Sequence, residues 1–175
     1  MTQPVTLTSP HEVARYRTRI EENLEKSRQM LAALCTNADG ALLFQQLKLE
    51  KTVIDPLSGQ PEHLLEVINQ SQTYLLSLAA VSLLFQLHPG HSFQLNWGNV
   101  PGYDIQSDDK SIIAECFVAT SYRSNQKLRR DLLRLSKNTT AAFRYVCFCD
   151  RVSTEKNLDY YQKLFPTIKI LPISL

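Results

Sequence analysis

The sequence predicts an α/β protein built around a mixed β-sheet. Residues 9–87 carry mainly the three-to-four-residue apolar spacing of helices. Residues 92–173 alternate short apolar runs with turns and with two amphipathic segments. Phe143 to Cys149 is strongly apolar, which is typical of a strand in a central, buried position. Together these observations favour an α/β sandwich with a mixed central sheet and added N-terminal helices, and not a doubly wound fold.

The first segment is predicted to be an amphipathic helix. Ser9 and Glu12 have the spacing of a capping box, and apolar residues then recur at helical intervals to about Cys35. A turn follows at residues 37–40, and residues 41–54 fit either a second helix or a strand. The N-terminal part of the chain is therefore expected to be mainly helical.

A long buried helix is expected next, from Pro61 to Leu87. A turn-forming loop at residues 55–61 precedes it, and proline suits the first turn of a helix. The most apolar part, residues 73–87, is interrupted by polar side chains and falls short of the roughly 20 residues that a membrane span needs. We therefore expect a buried helix and no membrane partner.

The second half of the chain is predicted to alternate short strands with two helices. The strands are expected at residues 92–97, 103–107, 111–118, 143–149 and 168–173, and the helices at 124–137 and 154–164. The first of these helices is amphipathic, with an apolar stripe that faces inward and a basic stripe on another side. The apolar stripe contains Leu128, Leu132 and Leu135, and the basic stripe contains Lys127, Arg130 and Arg134.

Two carboxylates stand on neighbouring predicted strands. Asp104 lies early in one strand, and Glu115 lies in the middle of the next, where its neighbours are apolar. Such a carboxylate is costly to bury unless it is paired or bound to a cation. If the strands pair across their acidic turn, the two carboxylates converge and suit a hard cation such as Mg²⁺. The alternatives are a turn cap for Asp104 and a buried ion pair of Glu115 with Arg144 or Lys127.

Four short segments and the order of elements carry a family resemblance. The segments are Asp55-Pro-Leu-Ser-Gly, Gly102-Tyr-Asp-Ile, Ala114-Glu-Cys-Phe and Asn125-Gln-Lys-Leu. They accompany a helix, three meandering strands, a helix and a further strand, with an aspartate in the second strand and a glutamate in the third. This layout resembles the PD-(D/E)XK restriction-endonuclease-like superfamily, and most closely an uncharacterised bacterial branch of it, over roughly residues 61–173. The expected organisation is a helical extension, residues 1–60, packed on a core of residues 61–175 in one compact domain.

The resemblance implies a set of site residues. Asp104 and Glu115 match the two motif acids and would coordinate Mg²⁺ or Mn²⁺, which activates a water for phosphodiester hydrolysis. The motif lysine is expected two residues after the glutamate, where this chain has Phe117. Lys127, at the start of the next helix, is the candidate to replace that lysine. Glu66, in the polar half of the long helix, is the candidate for an additional catalytic acid.

Two functions from different classes follow from this resemblance. The first is a metal-dependent endonuclease that hydrolyses DNA. The second is a catalytically inactive protein of the same fold that serves as a nucleic-acid or protein interaction module, which the substitution at Phe117 favours. The candidates for phosphate contact are Lys127, Arg129, Arg130 and Arg134, whose alternative is a solvated helix face. Self-association through the first helix, as a homodimer, is a third hypothesis.

Composition limits the class of protein only broadly. Hydrophobic residues make up 43% of the 175 residues, which is typical of globular proteins. The net charge of +2 neither requires nor excludes a nucleic-acid partner. The polar first ten residues predict no signal peptide, and the four cysteines lack the spacing of zinc or redox sites. We therefore expect reduced thiols and a cytoplasmic location.

Overall fold

The computed structural model describes residues 4–98, 101–118, 126–150 and 155–175, with side chains from residue 158 in the last range. Within these residues the architecture is mixed α/β, with five helices and a six-stranded mixed sheet, which confirms the predicted class. The elements are β1 (Val5–Leu7), α1 (Pro10–Asn37), α2 (Gly40–Leu49), β2 (Val53–Ile54), β3 (Pro61–Glu62), α3 (Leu64–Leu87), β4 (Phe93–Leu95), β5 (Ile105–Ser107), β6 (Ile112–Phe117), α4 (Lys127–Ser136), β7 (Phe143–Cys149), α5 (Glu155–Leu164) and β8 (Lys169–Ile173). No helix of the described ranges is long and apolar enough to cross a membrane.

Contacts divide the chain into two compact units. The sheet unit comprises Met1–Val13 and Leu76–Leu175, and the helical unit comprises Ala14–Leu75. The predicted boundary at residue 60 stays a prediction.

The large sheet changes direction in its middle. Its order is β1-β4-β5-β6-β7-β8. Strands β1, β4, β5 and β6 pair antiparallel, and β4, β5 and β6 follow one another in the chain as a meander, whereas β6, β7 and β8 pair in parallel. The parallel pairs need crossover connections, which contain α4 and α5. Strand β7 lies between β6 and β8, so it is an interior strand, but the predicted central position was wrong because only the edge strand β8 lies beyond it.

One face of β6 and β7 forms a hydrophobic core with α4. Side chains alternate between the two faces of a strand, so Glu115 shares its face with Ile113 and Phe117. These two residues belong to the core cluster that includes the leucine stripe of α4, which confirms the predicted inward stripe. The buried members of the cluster are Ile113, Phe117, Leu128, Leu132, Leu135, Ala141, Val146, Phe148 and Ile168.

The helical unit is organised around a two-stranded hairpin, β2–β3. Asn23 of α1 donates from Nδ2 to the Pro56 carbonyl at 3.0 Å, and Ser27 Oγ accepts from the Ile54 N–H at 3.2 Å. The predicted loop is present, and it is closed by Asp55, whose Oδ1 accepts from two following backbone N–H groups. These polar contacts bind the hairpin to the helix.

Three elements differ from the sequence expectation. The region 41–54 contains both alternatives, since helix α2 is followed by strand β2. Pro61 is not in the first turn of a helix but pairs with Ile54 in the hairpin, and α3 begins only at Leu64. Strand β1 was not expected, because three residues are too short to show an alternating pattern. It exists through its antiparallel pairing with β4, in which Val5 lies opposite Leu95.

Candidate functional site

The two carboxylates predicted to converge lie side by side in the sheet unit. Strands β5 and β6 pair with Ile105 opposite Ala114. Asp104 was predicted within a strand but lies one residue before β5, whereas Glu115 lies within β6 as predicted. Asp104 Oδ2 accepts a hydrogen bond from the Cys116 N–H at 2.7 Å, which holds the carboxylate over β6. The Glu115 side chain is only 1% exposed.

Helix α4 adds a third acid to this pair. Asp131 is buried, and its Oδ1 lies 2.8 Å from the Lys127 ammonium nitrogen. Sequence reasoning missed this residue, although a signal was present. Asp131 stands three residues after Leu128 and four before Leu135, which places a carboxylate on the apolar stripe of the helix. We call Asp104, Glu115 and Asp131 the acid cluster.

Arg134 is the cation that pairs with Glu115. Its Nη1 lies 2.8 Å from Glu115 Oε1, and its Nη2 donates to the Gly102 carbonyl. Its guanidinium carbon lies 5.0 Å from the centroid of the Tyr103 ring, a cation–π geometry. The predicted ion-pair partners of Glu115 were therefore wrong. Lys127 pairs with Asp131 instead, and Arg144 donates to the Asn138 carbonyl at 2.8 Å.

Burial and mutual repulsion perturb the titration of the acid cluster. Burial, and next the charge of Asp104, raise the pKa of Glu115 from 4.5 to about 8, although Arg134 opposes the shift. Burial also raises the pKa of Asp131, against the effect of Lys127. Close like charges that lack solvent favour retention of a proton. When all three are ionised, the carboxylates outnumber the two side-chain cations that contact them, and a bound cation would relieve this excess.

The position of the missing motif lysine is part of the core. The Phe117 ring stacks on Phe148, with ring centroids 5.8 Å apart and planes 21° apart. It is 3% exposed and belongs to the core cluster under α4. A lysine there would have to leave an apolar environment. The Lys127 ammonium instead contacts the acid cluster through Asp131.

The remaining predicted site residues are Glu66, Arg129 and Arg130. Glu66 is exposed in the first turn of α3, in the helical unit, where it accepts a hydrogen bond from Gln70 Nε2 at 3.4 Å. Arg129 and Arg130 are exposed on α4, as a basic surface requires. Of the predicted basic residues, Lys127 and Arg134 are engaged with acids of the cluster.

A second group of potential metal ligands lies at the turn between β5 and β6. Within the described ranges, one group of at least three potential ligand residues has its ligand atoms within 4.8 Å of one another. It consists of His91, Asp108 and Asp109. His91 Nδ1 is 3.5 Å from Asp108 Oδ1 and 3.6 Å from Asp109 Oδ1. Asp109 Oδ1 also accepts from Ser107 Oγ at 2.6 Å, a contact that contributes most to lowering the pKa of Asp109 to about 2. Closure of the hairpin turn accounts for this group.

Gly102 shapes the loop that holds Arg134. Its φ of +122° is a conformation that other residues adopt only with strain. A Cβ at this position would lie 2.9 Å from Nδ2 of Asn96, the same atom that donates to the Tyr103 carbonyl at 2.6 Å. Both the backbone angle and the available space therefore require glycine.

We expect Gly102→Ala to lower the free energy of unfolding by about 1–3 kcal/mol, the usual cost of a strained backbone angle. Urea denaturation of the purified variant measures this change. Gly40→Ala is the matched control, because Gly40 begins α2 with nothing within 4 Å of the added Cβ. An equal effect of both substitutions would contradict the role assigned to Gly102.

No protein-family model, curated protein or solved structure matches the chain.

Proposed function

We propose that the chain is a metal-dependent nuclease that hydrolyses phosphodiester bonds of DNA at the acid cluster. The observation that carries the proposal is the proximity of Asp104, just before β5, to Glu115 on the paired strand β6, with Glu115 buried and its pKa raised to about 8. Burial of one carboxylate beside another lowers the stability of the folded protein. Acids whose pKa is perturbed in this way cluster at functional sites.

The order of the elements supports the same proposal. Helix α3 is followed by the antiparallel strands β4, β5 and β6, then by α4 and by β7, which is parallel to β6. This is the layout that the resemblance to restriction endonucleases implies, with Asp104 beside the second strand of the meander and Glu115 in the third. We infer that the sandwich is of the restriction-endonuclease-like type.

The acid cluster offers the ligands that Mg²⁺ and Mn²⁺ prefer. Asp104 and Glu115 would hold the ion through carboxylate oxygens. The ion, when bound, supplies an activated water and stabilises charge at the phosphate. Its charge also offsets the excess of carboxylates over cations.

The protein's own groups prepare the remainder of the site. The Cys116 N–H orients Asp104, and the surrounding core fixes Glu115 on the sheet. Asp131 holds the Lys127 ammonium at 2.8 Å, one helical turn away on α4. From there Lys127 can orient a water or neutralise a phosphate oxygen, which is the work of the lysine that Phe117 replaces.

A second candidate function is a catalytically inactive interaction module. Two observations favour it. Phe117 is packed in the core, and Arg134 lies 2.8 Å from the Glu115 oxygen that a metal would use. An arginine can satisfy a buried carboxylate in place of an ion. Such a protein would bind DNA or a protein partner without hydrolysis.

We expect Lys127→Ala to lower Mg²⁺-dependent DNA cleavage about 100-fold or more, the usual contribution of a positioned proton-transfer group. DNA affinity should fall only slightly, because one phosphate contact among several is lost. Cleavage is measured on labelled single-stranded and double-stranded DNA, and affinity by fluorescence anisotropy in Ca²⁺.

The matched control is Lys137→Ala, which removes the same charge from an exposed position that caps the end of α4. It should leave cleavage within a factor of about two, since rim charges act mainly through screened, long-range effects. Thermal unfolding must show that Lys127→Ala is folded, because it leaves Asp131 without its cation. Absence of cleavage by the wild-type protein in both Mg²⁺ and Mn²⁺, with DNA still bound, would favour the interaction module.

A further inference from the structure

Arg134 is held at three points around the acid cluster. Its guanidinium contacts the Glu115 carboxylate, the Gly102 carbonyl and the face of the Tyr103 ring. Tyr103 is itself fixed, because its hydroxyl accepts from Asn138 Nδ2 at 3.2 Å. The guanidinium is therefore placed by the fold and is not a mobile surface charge.

The exposure of the two partners differs sharply. The Arg134 side chain is 48% exposed, whereas the Glu115 side chain is 1% exposed. The arginine thus reaches solvent with one side of its guanidinium and covers the buried carboxylate with the other. A cation that arrives from solvent at Glu115 Oε1 must take the place of this contact.

We propose that Arg134 and a divalent cation bind Glu115 in turn, so that metal binding releases Arg134 to contact a phosphate of the substrate. This inference rests on the proposed nuclease function and names how its site is regulated. Without the metal, Arg134 contacts Glu115 Oε1. With the metal bound, the guanidinium has lost its carboxylate and is available at the mouth of the acid cluster.

The chemistry of arginine suits this exchange. Guanidinium groups bind phosphate oxygens in a bidentate manner, as they bind carboxylates. Arg134 would therefore exchange one oxyanion partner for another that a guanidinium also binds. A cation and an arginine that compete for Glu115 make metal binding and phosphate binding dependent on each other, and this coupling acts equally in both directions.

The helix supplies a natural comparison for Arg134. Arg130 lies one turn earlier on α4 and is exposed. If Arg130 contacts a phosphate, it should do so whether or not a metal is present. Arg134 should contribute to DNA affinity only after the metal has displaced it from Glu115.

The experiment measures DNA affinity of the full chain with and without saturating Ca²⁺, at constant ionic strength. Ca²⁺ keeps the oxygen-ligand preference of Mg²⁺, and the probe is a labelled DNA oligonucleotide. We expect Ca²⁺ to tighten wild-type binding about fivefold or more, the lower range of allosteric coupling. Arg134→Gln should match the wild type without Ca²⁺ and lose this gain. Arg130→Gln should bind more weakly in both conditions and keep the gain.

Two results overturn the inference. One is an Arg134→Gln variant that loses affinity by the same factor in both conditions, which would place Arg134 on the phosphate at all times. The other is an Arg134→Gln variant whose DNA affinity rises with Ca²⁺ as much as that of the wild type. If Arg134→Gln does not fold, Arg134→Lys decides: a single ammonium cannot hold the same three partners, so the gain should shrink, and an unchanged gain overturns the inference.

Calorimetry with Ca²⁺ alone separates this inference from the proposed function. If the wild-type protein does not bind Ca²⁺, or if Glu115→Gln does not abolish the binding, the metal site itself is absent and both proposals fail. If such binding is present but DNA affinity responds to Ca²⁺ independently of Arg134, only the exchange of Arg134 fails.

Discussion

We expect Glu115→Gln to abolish divalent-metal binding at the acid cluster and to lower DNA cleavage by at least about 1000-fold. The substitution keeps the shape of the side chain and removes one anionic ligand from a set of hard oxygens. Loss of a charge that stabilises the transition state commonly costs about 100-fold to 1000-fold by itself, and loss of the metal adds to that cost. Asp104→Asn should have an effect of the same order.

Metal binding is best measured by calorimetry with Mn²⁺ in a His91→Gln background. The group of His91, Asp108 and Asp109 also offers ligand atoms within 4.8 Å of one another and could contribute its own heat. Asp159→Asn is the matched control, because it removes an equal charge from an exposed position on α5. Equal Mn²⁺ binding by the Glu115→Gln and control variants would exclude the acid cluster as a metal site.

The second large effect concerns the pH dependence of stability in the metal-free protein. Glu115 is faced by Asp104, Asp131 and Arg134, and its pKa rises from 4.5 to about 8 on folding. Between these values the folded state binds more protons than the unfolded state, so the free energy of unfolding falls as the pH rises. The stabilising contribution of protonated Glu115 is fully present below pH 4.5 and is lost through about pH 8.

Glu115→Gln should therefore gain stability relative to the wild type as the pH increases from about 5 to about 9. At about 1.4 kcal/mol for each pKa unit, the relative gain should reach roughly 2–4 kcal/mol. Urea denaturation at several pH values, without divalent ions, measures both proteins. Parallel curves for the two proteins would show that Glu115 is ionised throughout and that its burial is fully compensated by Arg134. Asp159→Asn should run parallel to the wild type.

The sequence by itself determined the features that depend on local pattern. Alternation placed Glu115 on the face of Ile113 and Phe117, and the apolar run of β7 indicated its interior position in the sheet. The leucine spacing of α4 indicated which side of that helix is buried. These features depend on residues a few positions apart, so the periods of strands and helices are sufficient to reveal them.

Only the tertiary structure decided which side chains meet across elements. The rotation of α4 over the sheet brings Arg134, and not Lys127, to Glu115, and it turns Asp131 inward beside them. A helix presents several cations within one turn of each other, so its sequence does not select among them. Strand β1 and the hairpin that contains Pro61 also depend on pairing with distant partners. The charge balance of the acid cluster is thus set by long-range packing, because burial and neighbouring charges, and not the residue types alone, fix the protonation of Glu115.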